Sequence, residues 1–306
     1  MKEIRVRAPG TIANLGPGFD IFAIALEKPY LELTMQLTDT NSIAIKNACR
    51  ECVPTRVENN TGGLAIRDLL ERVDSHTGVS FEVQKNMCIG AGLGSSGACA
   101  SACVYGLNEL MELDLNYNEM IEIASRGEVA TGNVAHADNV AGAMLGGFVI
   151  IKNSHPIDVA KIDVPEIPIV IGVLKKAQQT TRPLIPKSLR LEEVKEQLSY
   201  CARVVHSILT NDLKEFGQSI NTDYISEPTR SKSIPGYSDI KKKLLAEGAY
   251  GCNICGGGSS LFVVCDKERV HDLALVMRKQ FAAYELGDDI IITQASNEGT
   301  KVIFYD

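Results

Sequence analysis

Gly90-Ala-Gly-Leu-Gly-Ser-Ser-Gly97 is the stretch on which the reading of this chain turns. It follows a run in which Val79, Phe81 and Val83 alternate with Ser80, Glu82 and Gln84, the period of a half-buried strand. It opens a run of small residues from Ala98 to about Met111 that reads as a helix. Glycines let backbone N–H groups come close to an anion, and a helix start adds a favourable dipole. The serine hydroxyls can bond phosphate oxygens or hold a cation. No Gly-Lys-Ser/Thr follows, so the loop is not a Walker A motif. It satisfies G-x-G-x-x-G formally through Gly92, Gly94 and Gly97, and a dinucleotide fold therefore needs testing. That fold places a continuously apolar strand before its loop. Here the preceding strand has one wet face, which tells against it.

On either side of this loop, strands are expected at Glu3–Ala8, Leu31–Gln36 and Ile43–Lys46, with Pro9–Phe19 as a loop and a helix over Gly63–Val73. Asn116 or Asn118 can cap a helix that runs to Ala124, and Phe148–Lys152 resumes a strand. The Pro- and Asp-containing stretch Asn153–Pro168 reads as a domain crossing, giving domains of 1–160 and 161–306. In the second half, Ile169–Leu174 reads as a buried strand. Leu191, Val194, Leu198, Cys201, Val205 and Ile208 follow helical spacing. Strands Tyr250–Cys255 and Leu261–Cys265 flank a second glycine loop, Gly256-Gly-Gly-Ser-Ser260, and strands at Asp289–Gln294 and Lys301–Tyr305 end the pattern. Strands and helices alternate in both halves, an α+β or α/β architecture.

Composition narrows the classes. Of 306 residues, 31 are Lys or Arg and 38 are Asp or Glu, a net charge of −7, which disfavours broad nucleic-acid or anionic-membrane binding. Met1–Arg7 lacks the apolar core of a signal peptide, and the apolar stretch Val140–Ile151 is too short to span a bilayer, so a cytoplasmic protein is expected. Nine cysteines include two C-x-x-C pairs, Cys49–Cys52 and Cys252–Cys255, that could in principle share one zinc ion. Cys252, Cys255 and Cys265 lie in apolar strand-like runs, and Cys99 and Cys103 sit four apart on a helix. Reduced, buried thiols are the reading preferred. Three further groups draw attention: the loop Asn14-Leu-Gly-Pro-Gly-Phe-Asp20, the segment His136-Ala-Asp-Asn139, and Arg182 and Arg230 in proline-flanked loops.

Together, Ala8-Pro-Gly-Thr-Ile-Ala-Asn-Leu-Gly-Pro-Gly-Phe-Asp20, Gly92-Leu-Gly-Ser-Ser96, His136-Ala-Asp-Asn139 and Cys255-Gly-Gly-Gly-Ser-Ser260 resemble the GHMP small-molecule kinases, and within them the branch acting on homoserine. Other branches carry a basic residue where this chain has Thr11. The sequence departs from the common pattern at Gly10, Ile12, Cys88 and Ser259, positions that shape loops rather than supply charge. The resemblance implies a two-domain α+β fold, an N-terminal ribosomal-protein-S5-like domain and a C-terminal ferredoxin-like domain, with ATP between them. It implies that Gly90, Ala91, Gly92, Leu93, Gly94, Ser95, Ser96, Gly97 and Ala98, with Gly257, bind the nucleotide, and that Ser96 and Glu128 hold Mg2+. For L-homoserine it implies Asp20 at the ammonium, Arg182 and Arg230 at the carboxylate, and Asn14, His136 and Asn139 around the hydroxyl. Asn139 would position that hydroxyl. Asp138 stands either as a general base or as the group that orients its loop. An apolar edge on the second half could support a homodimer.

Overall fold

The computed structural model describes residues 2–47, 53–85, 87, 90–132, 137–175, 185–258 and 260–306. The N-terminal half contains β1 (Glu3–Ala13), β2 (Phe22–Thr38), β3 (Ile43–Asn47), α1 (Thr61–Arg72), β4 (Gly78–Lys85), α2 (Ser95–Met111), α3 (Tyr117–Gly127), α4 (Val129–Gly132), α5 (Asp138–Leu145), β5 (Phe148–Ser154) and β6 (Ile157–Ile162). The C-terminal half contains β7 (Pro168–Val173), α6 (Leu191–Leu209), α7 (Leu213–Ser219), α8 (Glu227–Arg230), α9 (Tyr237–Ala246), β8 (Gly251–Ile254), β9 (Ser260–Val264), α10 (Val270–Ala283), β10 (Asp289–Gln294) and β11 (Lys301–Tyr305).

The first sheet runs β11-β1-β2-β4-β3, and β5 joins it through β2 with β6 beyond. Its pairs are antiparallel except β3–β4, the parallel pair connected through α1. Alternation in β4 puts Val79, Phe81 and Val83 into a core with Ile4, Val6, Leu31, Leu33 and Met35, under α1, α2, α3 and α5. The capping expectation resolves to Asn116, whose Oδ1 accepts from the Glu119 amide at 3.1 Å while Glu119 Oε2 accepts from the Asn116 amide at 2.9 Å.

The second sheet is antiparallel in the order β10-β7-β9-β8. Taken in chain order as strands one to four, that is 4-1-3-2 with helical crossovers after the first and third, a ferredoxin-like βαββαβ unit. Phe281, Met277, Leu273, Ile240 and Leu244 of α10 and α9 fill one side of it. The other side, with Ile169, Ile171, Phe262 and Val264, packs against Val204 and Ile208 of α6 and against Ile12, Leu15, Phe22, Ile24 and Phe148 of the first half. One continuous core therefore joins the halves.

Three features differ from the sequence expectation. β1 continues to Ala13 instead of stopping at Ala8, because its register against β2 shifts between Pro9 and Thr11 and the strand carries on past that bulge. Residues inside Asn153–Pro168 form β6, which pairs with β5, so the crossing is confined to residues 163–167. Lys301–Tyr305 belongs to the first sheet, antiparallel to β1, although it follows the C-terminal unit in the chain. The 161–306 range thus includes a strand that the first sheet claims.

Among the described cysteines, Cys99, Cys103, Cys252, Cys255 and Cys265 are buried and in no disulfide. Burial pushes Cys252 and Cys265 up to about 12 and Cys255 well above the ordinary thiol value, which disfavours the thiolate a metal needs. Cys49 and Cys52 lie outside the described residues. No described helix is long and apolar enough to cross a membrane.

Phe148 is fully buried, its ring 4.9 Å from that of Phe22 in the core shared by both halves. Phe148→Ala is expected to destabilise the protein by about 3–5 kcal/mol, measured by urea denaturation; a loss below about 1 kcal/mol would show that this core does not join the halves energetically.

Candidate active site

The loop between β4 and α2 is pinned by its apolar residues and open at its glycines. Ala91 and Leu93 are buried in the shared core, whereas Gly92 and Gly94 are partly exposed. Gly92 and Gly94 have φ of +77° and +68°. A Cβ on Gly92 would lie 2.5 Å from the Cys255 carbonyl oxygen, and one on Gly94 would lie 2.0 Å from Thr11 Oγ1. Glycine is required at both on two counts, backbone region and space. Gly94 is also the N-cap of α2 and supplies no side chain to the first-turn amides. A helix begun this way offers its amide groups and its dipole to an anion. No lysine or arginine lies in residues 90–97.

Beside that helix start, Ser96 Oγ donates to Glu128 Oε2 at 2.9 Å. Glu128 is buried, at the junction of α3 and α4. A hydroxyl and a carboxylate at the mouth of this glycine loop form an oxygen donor set of the hard kind that suits Mg2+, an ion bound through one or two protein oxygens plus substrate phosphates. The residues present fit that ion.

The sequence segments expected to surround the substrate meet here. Thr11, fully buried, donates its hydroxyl to Asn139 Oδ1 at 2.7 Å, and its amide donates to the Leu93 carbonyl at 3.0 Å. Asp138, buried at the start of α5, accepts through Oδ1 from the Asn139 amide at 2.7 Å and from Asn139 Nδ2 at 3.3 Å. Both ends of the Asn139 side chain are thereby fixed. A Cβ on Gly97 would sit 3.1 Å from Asn139, so this asparagine lies against the first turn of α2.

The Asn14–Asp20 loop is a tight turn with Asn14, Leu15 and Asp20 at φ of +70°, +48° and +58°. Buried Asn14 holds it: Oδ1 accepts from the Asp20 amide at 3.1 Å, and Nδ2 donates to the Gly256 carbonyl at 3.3 Å. From the other side, Arg230 donates to the same Gly256 carbonyl and stands 5.7 Å from the Phe19 ring centroid. The second glycine loop closes onto the first, with Ser260 Oγ donating to the Ala91 carbonyl at 2.6 Å. A Cβ on Gly257 would meet nothing within 4 Å, so this residue faces open space.

Asn14, Asp20, Asp138, Asn139, Arg230, the 90–98 loop, Ser96 and Glu128 are thus linked through direct contacts or through residues adjoining them. His136 and Arg182 lie outside the described residues. Sequence reasoning missed three contributors. Thr11 sits inside the N-terminal motif, but its bond to Asn139 spans 128 residues. Ser260 reads as part of a flexible glycine turn. Asp223 is buried, and its carboxylate accepts from the amides of Ile225, Ser226 and Glu227 at 2.8, 2.9 and 3.0 Å, building the turn from which α8 presents Arg230. The spacing Asp223-x-x-Ser226 before Glu227-Pro228 is a helix-start signal that could have marked it. Glu227 in turn accepts from Tyr237 Oη at 2.7 Å and Lys241 Nζ at 2.6 Å.

The chain matches the GHMP kinases N-terminal domain over residues 60–147 and the GHMP kinases C-terminal domain over residues 204–283. It is 36% identical to homoserine kinase of Methanococcus vannielii over 285 residues, 92% of this chain and 94% of that one. It is 32% identical to homoserine kinase of Chlorobium phaeobacteroides, covering 99% and 100%. The crystal structure of homoserine kinase from Cytophaga hutchinsonii superposes with a TM-score of 0.90 at 34% identity, over 98% of this chain and 97% of that one. L. major mevalonate kinase, at 13% identity and a TM-score of 0.72, shares the fold. Likeness of sequence over almost the full length of both chains, with both family domains matched in order, shows descent as well as architecture: the chain belongs to the GHMP kinase family.

Proposed function

We propose that the protein transfers the γ-phosphoryl group of ATP to the side-chain hydroxyl of L-homoserine, giving O-phospho-L-homoserine for threonine biosynthesis. The observation that carries this reading is the direct contact between the phosphate loop and the Asn14–Asp20–Arg230 pocket, made through Thr11, Asn139 and the Gly256–Gly258 loop. It lets a small acceptor lie against the terminal phosphate. The full-length relatives named homoserine kinase support the choice of alcohol.

Phosphoryl transfer asks mainly for positioning and charge stabilisation. The amides of residues 90–98 and the start of α2 cradle the triphosphate. Ser96 and Glu128 hold Mg2+, which when bound neutralises charge on the phosphate oxygens. Asp20 meets the substrate ammonium. Arg230, together with Arg182, takes the carboxylate, for which a guanidinium fork is suited to bidentate contact. Asn14 orders the turn that carries Asp20, and His136 belongs to the segment around the hydroxyl. Asn139 positions that hydroxyl for in-line attack. Asp138 serves by orienting Asn139; the two bonds it accepts from that residue support this role over proton removal.

An ADP-release assay across homoserine, threonine, serine and mevalonate is expected to give the highest kcat/KM with homoserine; a better alcohol in that panel would replace the substrate. Arg230→Ala is expected to raise the homoserine KM about thirtyfold or more, a loss of about 2–5 kcal/mol, with the KM for ATP little changed. Arg230→Lys keeps the charge but loses the fork and should recover only part. Asp20→Asn should weaken homoserine more than its des-amino analogue, 4-hydroxybutyrate. Equal loss of homoserine and ATP affinity in these variants would defeat the zwitterion-clamp assignment.

Ser96→Ala and Glu128→Gln are expected to raise the Mg2+ concentration needed for half-maximal turnover, and full chelation should abolish activity. Turnover that survives chelation rules out the metal role.

A further inference from the structure

Of the first ten residues of α6, Gln197 alone is buried. It is 5% exposed, while Leu191, Val194 and Leu198 of the same stretch are left on the surface. A buried side-chain amide costs stability unless its polar ends are bonded. Gln197 bonds both ends, and to two different segments of the candidate site. Its Nε2 donates to the Pro17 carbonyl, inside the Asn14–Asp20 turn, at 2.6 Å. Its Oε1 accepts from the Tyr224 amide at 2.9 Å. Tyr224 follows Asp223, the residue that builds the turn leading into α8 and Arg230. The two segments also touch directly: Gly16 has φ of +77°, and a Cβ there would lie 2.3 Å from the Ile220 carbonyl oxygen. Cys201, one turn further along α6, gives a second donor to the Pro17 carbonyl at 3.2 Å.

This bridge is distinct from the one at Gly256, where a backbone carbonyl receives both Asn14 and Arg230. At Gln197 a side chain spans the segment that ends in Asp20 and the segment that leads to Arg230. Its length, with a donor and an acceptor at the same tip, sets how far apart the two can stand. That distance matters because of what the site is proposed to hold. Asp20 meets an ammonium and Arg230 a carboxylate, and homoserine bears both groups on one carbon. Charges so close together reach both partners only when those partners are held at a matching gap. The attraction falls off with distance, and a bidentate guanidinium contact also needs alignment.

We propose that Gln197 is the positioning residue that sets the gap between Asp20 and Arg230, and so restricts the site to acceptors carrying an ammonium and a carboxylate on the same carbon. It touches neither charge of the substrate and acts through the two segments that it joins. This inference rests on the zwitterion clamp put forward above.

Two alcohols that each carry a single charge separate this role from a merely structural one. 4-Hydroxybutyrate lacks the ammonium and 3-aminopropan-1-ol lacks the carboxylate, so each engages one side of the clamp and is indifferent to the gap. ADP release by the full chain is measured with homoserine and with both analogues. In Gln197→Met, which keeps the size and loses both bonds, kcat/KM for homoserine is expected to fall about tenfold, and that for each analogue about twofold or less. The loss should sit in KM more than in kcat. Gln197→Glu keeps the length and the acceptor for Tyr224 but sets an oxygen against the Pro17 carbonyl. It is the second variant should Gln197→Met misfold, and the same preference for homoserine should be lost. Equal falls for all three alcohols would make Gln197 a purely structural residue and overturn the proposal; so would a variant as selective as the wild type. Either result leaves the reading of the substrate standing. A wild type that does not favour homoserine over the two analogues defeats the zwitterion clamp itself, and this inference with it.

Discussion

Ser260 gives its hydroxyl proton to the carbonyl of Ala91, and the site depends on that bond. It ties the loop between β8 and β9 to the loop between β4 and α2, so the two halves meet glycine to glycine. The approach leaves no room for a side chain on Gly92, which faces the Cys255 carbonyl. Gly256, brought alongside, offers one carbonyl to both Asn14 and Arg230. A single backbone oxygen thereby joins the turn bearing Asp20 to the helix bearing Arg230. Loosening this junction would part the 90–97 loop from the Asp20 turn and the Arg230 helix together.

The net charge of −7 is compatible with an anionic substrate because of how the loop works. Residues 90–97 contain no cationic side chain, and what they offer an anion is oriented amides and a helix start. The oxygen pair of Ser96 and Glu128 would suit Mg2+, an ion that itself calls for an acidic ligand. Among the described residues the buried cation is Arg230, which lies at the other end, over Phe19. Acidity at one end and a buried guanidinium at the other divide the pocket by charge. A triphosphate and an amino acid would then each have a preferred place.

Much of this was legible in the order of residues because the decisive elements are local. The strand–glycine loop–helix unit at 78–111, the capping by Asn116 and the alternation in β4 follow from neighbours in sequence. What was hidden depends on distant partners. Pro9 and Gly10 read as strand breakers, but β2 supplies a bulged register that carries β1 to Ala13. β6 hid within a stretch rich in Pro and Asp because most of its residues are only partly buried and its pattern is weak. In the site, the residue types at Asn14, Asp20, Asn139 and Arg230 mark candidates. The Thr11–Asn139 bond and the Asp223 turn are products of the fold. Asp223 looks like any loop aspartate until its three amide partners are seen.

The return of Lys301–Tyr305 to the first sheet has a consequence for how the chain is made. The Glu3 carbonyl accepts from the Asp306 amide at 2.9 Å, so β1 is bordered by a strand that leaves the ribosome long after it. Until residues 301–305 emerge, the outer edge of β1 presents unpaired amides and carbonyls to its surroundings. The N-terminal unit therefore cannot complete its sheet while the ferredoxin-like unit is still being synthesised. The interval during which that edge stands open is set by translation speed, and it is then that a nascent chain is most exposed to mispairing with its neighbours on the same message.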